Sequence, residues 1–140
     1  MREVKKLKYI IVGIAGILGA LSRYYLGFTI DTLWHHALPL ATLTINLIGC
    51  FLLALLTTYI ARLNILSSEV ITGIGTGFIG SFTTFSTFSV ETIQLINHSH
   101  FGIAFLYVSC SMLGGLIMSG LGYKLGGFLL NKHLEEGEIS

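Results

Sequence analysis

Four stretches of the chain stay apolar over the roughly 20 residues that a helix needs to cross a hydrocarbon core. They span about residues 9–28, 39–60, 70–96 and 101–123, and the last drifts on toward Leu130. Short connections separate them: TIDTLWHHAL, ARLNILSSE and NHSH. The tail NKHLEEGEIS, residues 131–140, is polar and is expected to fray. Pro39, the single proline, stands where a helix tolerates it best, at its start. No linker or internal repeat divides the chain. The pattern predicts an all-α membrane protein, a single transmembrane domain over residues 1–140, with both termini on one side.

Composition agrees. Of the residues, 53% are hydrophobic and 11% charged, and the mean hydropathy is +0.80. A soluble domain carries about twice that charged fraction. A net charge of +1, with the charges gathered at the ends, makes nucleic acid an unsuitable partner. The first run outlasts a cleavable signal and is followed by three more, so it reads as a retained span. Cys50 and Cys110 lie inside apolar runs and read as small buried hydrophobes. His35, His36, His98 and His100 fall in connections. His98 and His100 offer two metal ligands with no cysteine or carboxylate close by in sequence, short of a metal site.

The third run is the unusual one. Residues 77–89, GFIGSFTTFSTFS, hold six hydroxyls and four phenylalanines without a charge. The whole run covers 27 residues, too many for one undisturbed span. Glycine and hydroxyl density peaks at Gly80–Thr84, which predicts a helix broken near mid-membrane; freed carbonyls there can bind a cation. The alternative is an unbroken helix whose hydroxyls bond back to their own carbonyls. Phe85 and Phe88 share a face, suited to lipid contact or packing, or to an ion path, since ring edges are weakly attractive to an anion. Upstream, Thr42 and Asn46 are four apart, suited to a pore or to interhelical hydrogen bonding. Tyr107, Ser111, Gly115 and Ser119 repeat every four residues, a ridge of hydroxyls interrupted once. Gly13, Gly16 and Ala20, then Gly73 and Gly77, then Gly114, Gly115, Ser119, Gly120 and Gly122 mark faces where helices approach closely. Gly75-Thr-Gly77-Phe-Ile-Gly80 copies a dinucleotide fingerprint, but no strand precedes it and no acid follows at the right distance. No paired carboxylates lie within the spans, so nothing suggests an enzyme. Glu91 is the only acid in the apolar runs.

Taken together, GILGALSRYYLG, LATLTINLIG and GFIGSFTTFSTFSVE resemble the Fluc/CrcB family of fluoride channels, from Gly13 to about Gly122. The resemblance implies four-span subunits, the third span broken, paired as antiparallel dual-topology dimers with two pores. It implies a fluoride-selective channel of the cell membrane that passively exports cytoplasmic fluoride and protects against its toxicity. On the matching positions, Thr42, Asn46, Phe85, Phe88, Tyr107, Ser111 and Ser119 are implied to line the fluoride path. The carbonyls of Gly80 and Thr83 are implied to hold a structural Na+ at the dimer interface. Arg23 matches a position suited to a vestibule or to structural pairing. Gly115 departs from the pattern, since a hydroxyl is usual there. Glu91 fits the pattern without an assigned task.

The chemistry is compatible. Fluoride is small and tightly hydrated, so a pore must offer many donors and yet release the ion, which favours several weak neutral sites over one cation. Topology raises a conflict. Seven of the eight basic residues, Arg2, Lys5, Lys6, Lys8, Arg62, Lys124 and Lys132, fall on the side of the termini. The positive-inside rule places that side in the cytoplasm, whereas an antiparallel homodimer needs both orientations. The partner is therefore either a second copy or an oppositely oriented homologue. Two other classes compete. A small proton-coupled multidrug exporter requires an acid in the first span, which has none between residues 9 and 28. A non-transporting membrane subunit explains the glycines but leaves the hydroxyl ridge without a role.

Overall fold

A computed structural model describes residues 2–63 and 65–138, with side chains placed from residue 6 to residue 135. Among these, every regular element is helical. Helix α1 covers Arg2–Leu33 and α2 covers Leu40–Thr58, followed by a 3₁₀ turn at Ile60–Arg62. The third run is a chain of pieces: α3 at Ser68–Thr72, a π-helical segment at Gly73–Ile79, α4 at Gly80–Phe82, and α5 at Phe85–Asn97. Helix α6 covers Phe101–Glu138.

Among the described residues, three helices are long and apolar enough to cross a membrane: Lys6–Leu33, Leu40–Arg62 and Phe101–Glu135. The third predicted run lacks such a helix because it is broken. Thr83 and Thr84 are extended, with φ/ψ of −80°/161° and −150°/124°. The break therefore falls inside the predicted window, and the unbroken alternative is excluded. The π segment was not foreseen. It is rich in glycine, and two of its glycines lie against α1: a Cβ on Gly77 would sit 2.7 Å from the Val12 carbonyl, and one on Gly73 would overlap Ile11. Side chains would hold the two backbones apart, so the wide turn and the close approach share one cause.

Two boundaries need correction. The connection expected to start at Thr29 is helical through Leu33, and only residues 34–39 turn. The Trp34 indole N–H donates to the Leu38 carbonyl at 2.9 Å and closes that turn. The tail expected to fray is helical through Glu138; residues 139 and 140 lie outside the described ones, as do the side chains of Arg2 and Lys5 among the basic residues counted for topology. At 1.5 Å per residue, α6 is about 57 Å long, well beyond the ~30 Å of hydrocarbon, so its last turns extend past the membrane.

Helix α2 packs along α6, and α1 along the π segment and α4. A small core of Leu43, Leu95, Ala104 and Tyr107 ties α5 to α2 and α6. Elsewhere large apolar residues point outward: Ile14, Ile17, Phe105 and Leu116 are all more than half exposed. In water such a surface would aggregate; in lipid it is solvated. The chain is a multi-pass membrane protein.

Candidate functional site

The break is held by an amide pairing. Asn46 Nδ2 donates to the Thr84 carbonyl at 2.9 Å, and the Thr84 N–H donates to Asn46 Oδ1 at 2.9 Å. In a continuous helix that N–H would bond to the Gly80 carbonyl. Asn46 thus stands in for the missing turn and satisfies both backbone groups of Thr84, which would otherwise be costly at membrane depth. One hydrogen of its NH₂ remains for another acceptor. Thr84 also starts the next helix: its hydroxyl accepts from the Thr87 N–H at 3.2 Å, a side-chain N-cap. Thr84 was missed as a site residue, although a hydroxyl three residues before Thr87 at the head of a helix was the signal for it.

Around this pairing lies an open cavity of about 410 Å³. Asn46, Gly80, Thr83, Phe85, Phe88 and Ser111 all line it, together with Cys50 and Thr84, and none of its lining residues is charged. Phe85 is 79% exposed and Phe88 half-buried, their rings 5.9 Å apart. Phe88 in turn meets Tyr107 at 5.1 Å. The Ser111 hydroxyl donates to the Tyr107 carbonyl at 2.7 Å, which leaves its lone pairs open. Ser119 is half-buried, lies two turns farther along α6 and lines none of the cavities described. Above Gly115, which carries no hydroxyl, the nearest side-chain atom to a built Cβ is Cys50 Sγ at 3.5 Å.

Thr42 and Tyr107 do not open onto the cavity as a simple track would require. Tyr107 is fully buried, and Thr42 is nearly so. Both are bound to Glu91: the Thr42 hydroxyl donates to Oε1 at 2.9 Å, and the Tyr107 hydroxyl to Oε2 at 2.7 Å. The residue without an assigned task is therefore the one that joins α2, α5 and α6. Nothing in the sequence paired it, since its partners lie 49 and 16 residues away. On the other flank, a groove of about 330 Å³ runs between α1, α2 and α5 and holds Arg23, Asp31, Thr42, Thr84 and Glu91. Arg23 Nη1 reaches the Thr83 carbonyl at 3.4 Å.

The two carbonyls expected to hold a cation can be tested by their donors. The Gly80 carbonyl loses the Thr84 N–H to Asn46, and the Thr83 carbonyl, in an extended residue, has only the long contact from Arg23. Neutral oxygens without strong donors suit a hard cation. Among the described residues, no three His, Cys, Asp or Glu side chains gather as a metal site. Cys50 and Cys110 are both free thiols.

Comparison with known proteins matches residues 10–123 to the model of the CrcB-like protein family, Camphor Resistance (CrcB). A Bacillus cereus protein named Fluoride-specific ion channel FluC 1 is 81% identical over 139 residues, covering 99% of this chain and 96% of the relative. A Bacillus anthracis protein of the same name is 82% identical over 135 residues, covering 96% and 98%. A Listeria monocytogenes protein named Fluoride-specific ion channel FluC 2 is 47% identical over 132 residues, covering 93% and 95%.

Proposed function

The chain belongs to the CrcB-like protein family, and we propose from that premise that it is a fluoride-selective ion channel, passive and not an enzyme, which lowers cytoplasmic fluoride and protects against its toxicity. The observation that carries this reading is the uncharged open cavity, where the Asn46 amide, the Ser111 hydroxyl and the Phe85 and Phe88 rings come together. Fluoride must trade its water shell for several donors and then leave. The remaining Asn46 N–H and the ring edges attract the ion weakly at successive points, and a lining hydroxyl joins them by turning its proton away from the oxygen it now bonds. A cation at the same depth would bind it too firmly.

In this reading Thr42, Asn46, Phe85, Phe88, Tyr107, Ser111 and Ser119 define the path. The Thr42 and Tyr107 hydroxyls act through their bonds to Glu91, and Cys50 fills the space above Gly115. Two chains in opposite orientations supply the carbonyls of Gly80 and Thr83 to one structural Na+, whose charge would hold the two broken spans together. Arg23 lies in the flanking groove as a vestibule residue. The exposure of Phe85 beside the cavity supports a partner, either a second copy or an oppositely oriented homologue. The protein resides in the cell membrane, with its termini in the cytoplasm wherever its orientation is fixed by charge.

The test is efflux from liposomes holding the purified protein, measured for fluoride and for chloride. Fluoride leaves and chloride stays. Equal leaks, or no fluoride leak, reject the reading. The exporter alternative lacks its acid, since α1 holds none between residues 9 and 28.

A further inference from the structure

At the end of the bundle opposite the termini lies a third cavity, of about 380 Å³. It is set between the end of α1, the 34–39 connection, the end of α5 and the turn into α6. Its walls carry His36, His98 and His100, with Asp31, Gln94 and Glu91. Water occupies about 30 Å³ per molecule in the liquid, so the space holds a small anion together with its shell. Glu91 is shared with the flanking groove, as is Asp31. Through Glu91 the cavity abuts Thr42 and Tyr107, residues placed on the path above.

The charges facing this space are mixed. Asp31 comes from α1, Glu91 and His98 from α5 and its cap, His36 from the connection, and His100 from the turn. Helix α2 adds Thr42 but no titratable group, and α6 adds Tyr107, bound to Glu91. His35 is not among the lining residues. With the imidazoles neutral, two acidic side chains confront an incoming anion. With them protonated, three positive charges outnumber the two acids. The imidazoles are exposed, so they exchange protons with bulk water. Two are held in place. His98 Nδ1 lies 2.7 Å from the Gln94 carbonyl, which can only accept, so Nε2 is the nitrogen left to take a proton. The His36 ring rests 4.7 Å from that of Trp34.

We propose that this cavity is an anion-gathering mouth of the pathway, and that protonation of His36, His98 and His100 turns its field from repelling fluoride to attracting it. The proposal rests on the channel reading and adds a pH dependence to it. Histidine is the side chain that changes charge between about pH 5 and 8, so fluoride flux rises as pH falls across that window. Field focusing in a cleft raises local ion concentration and entry rate.

The experiment measures fluoride efflux from liposomes holding the purified full-length protein at about pH 8 and about pH 6, with protein-free liposomes subtracted for leak of hydrogen fluoride. Efflux is expected to be about three- to tenfold faster at the lower pH, and the ratio shrinks at high salt. In the triple variant H36Q/H98Q/H100Q the ratio falls to near one, and in H98Q alone it is intermediate. Asp31 and Glu91 are unchanged in all of these proteins and cannot produce the difference between them. A pH-independent wild type, or a triple variant that keeps the wild-type ratio, overturns the proposal. Absence of efflux at both pH values defeats the channel reading instead. The mouth is then judged by nuclear magnetic resonance of the histidine rings, because linkage requires fluoride to favour their protonated form; rings that titrate identically with and without fluoride overturn it.

Discussion

Asn46 performs two tasks with one amide. It completes the backbone of Thr84 and keeps a donor for the cavity. Asn46→Asp removes the N–H given to Thr84 and puts a negative charge into an uncharged space. At about 10 Å and an effective dielectric near 20, repulsion of an anion is about 1.7 kcal/mol, more than the ~1.4 kcal/mol that changes a rate tenfold. Liposome efflux should therefore fall by at least about tenfold, and an unchanged rate would remove Asn46 from the path. Glu91 makes the complementary case. Tyr107→Phe takes away the donor to Oε2 and leaves a half-buried carboxyl oxygen unmatched, at a cost of about 1–3 kcal/mol. The variant should melt at a lower temperature in detergent. If its melting is unchanged, the hydroxyl contributes nothing to holding α5 against α6.

At the scale of elements, the broken span depends on how near α2 can come to it. Gly49 faces Thr83, and a Cβ there would overlap the threonine Cγ2 while making only ordinary contact with Phe82. Overpacking of this kind costs about 1–3 kcal/mol. Gly49→Ala should lower the melting temperature and the flux together, because the same displacement moves Asn46 away from Thr84. Thr83→Ser deletes the methyl in question, so the double variant G49A/T83S should recover most of the loss while keeping the Thr83 carbonyl in place. A double variant no better than Gly49→Ala would show that the contact is not what limits the approach. Gly19 of α1 plays the same part against the Phe78 carbonyl in the π segment. The small-residue faces expected from spacing included Gly73 and Gly77 but passed over Gly19 and Gly49, since spacing marks a face without saying what lies opposite.

For the whole molecule, orientation decides which partner the chain takes. The basic residues cluster at the ends of helices that reach the terminal side, and the loops at the other end carry histidines in place of lysines. A tag on the C-terminus, probed from each side of intact cells, should be reached from the cytoplasmic side only. That outcome would make the partner of this chain an oppositely oriented homologue, whereas equal labelling from both sides would establish a homodimer of mixed orientation.

Four apolar runs, the break in the third and the family were all legible along the chain, because each is written in neighbouring residues. Hydropathy is a local sum; a cluster of glycines and threonines marks a break wherever it stands; GFIGSFTTFSTFSVE is contiguous. Helix ends were less legible: α1 and α6 run on through polar residues, whose backbone bonds form inside the helix whatever the side chains prefer. The pairings were decided only in the tertiary structure. Asn46 meets Thr84 across 38 residues and Thr42 meets Glu91 across 49, and no periodicity encodes a distance of that kind. Which hydroxyls face an open cavity, and which are spent on a carboxyl or a carbonyl, depends on how helices far apart in sequence cross in lipid, where close packing and hydrogen bonds take the place of a hydrophobic drive.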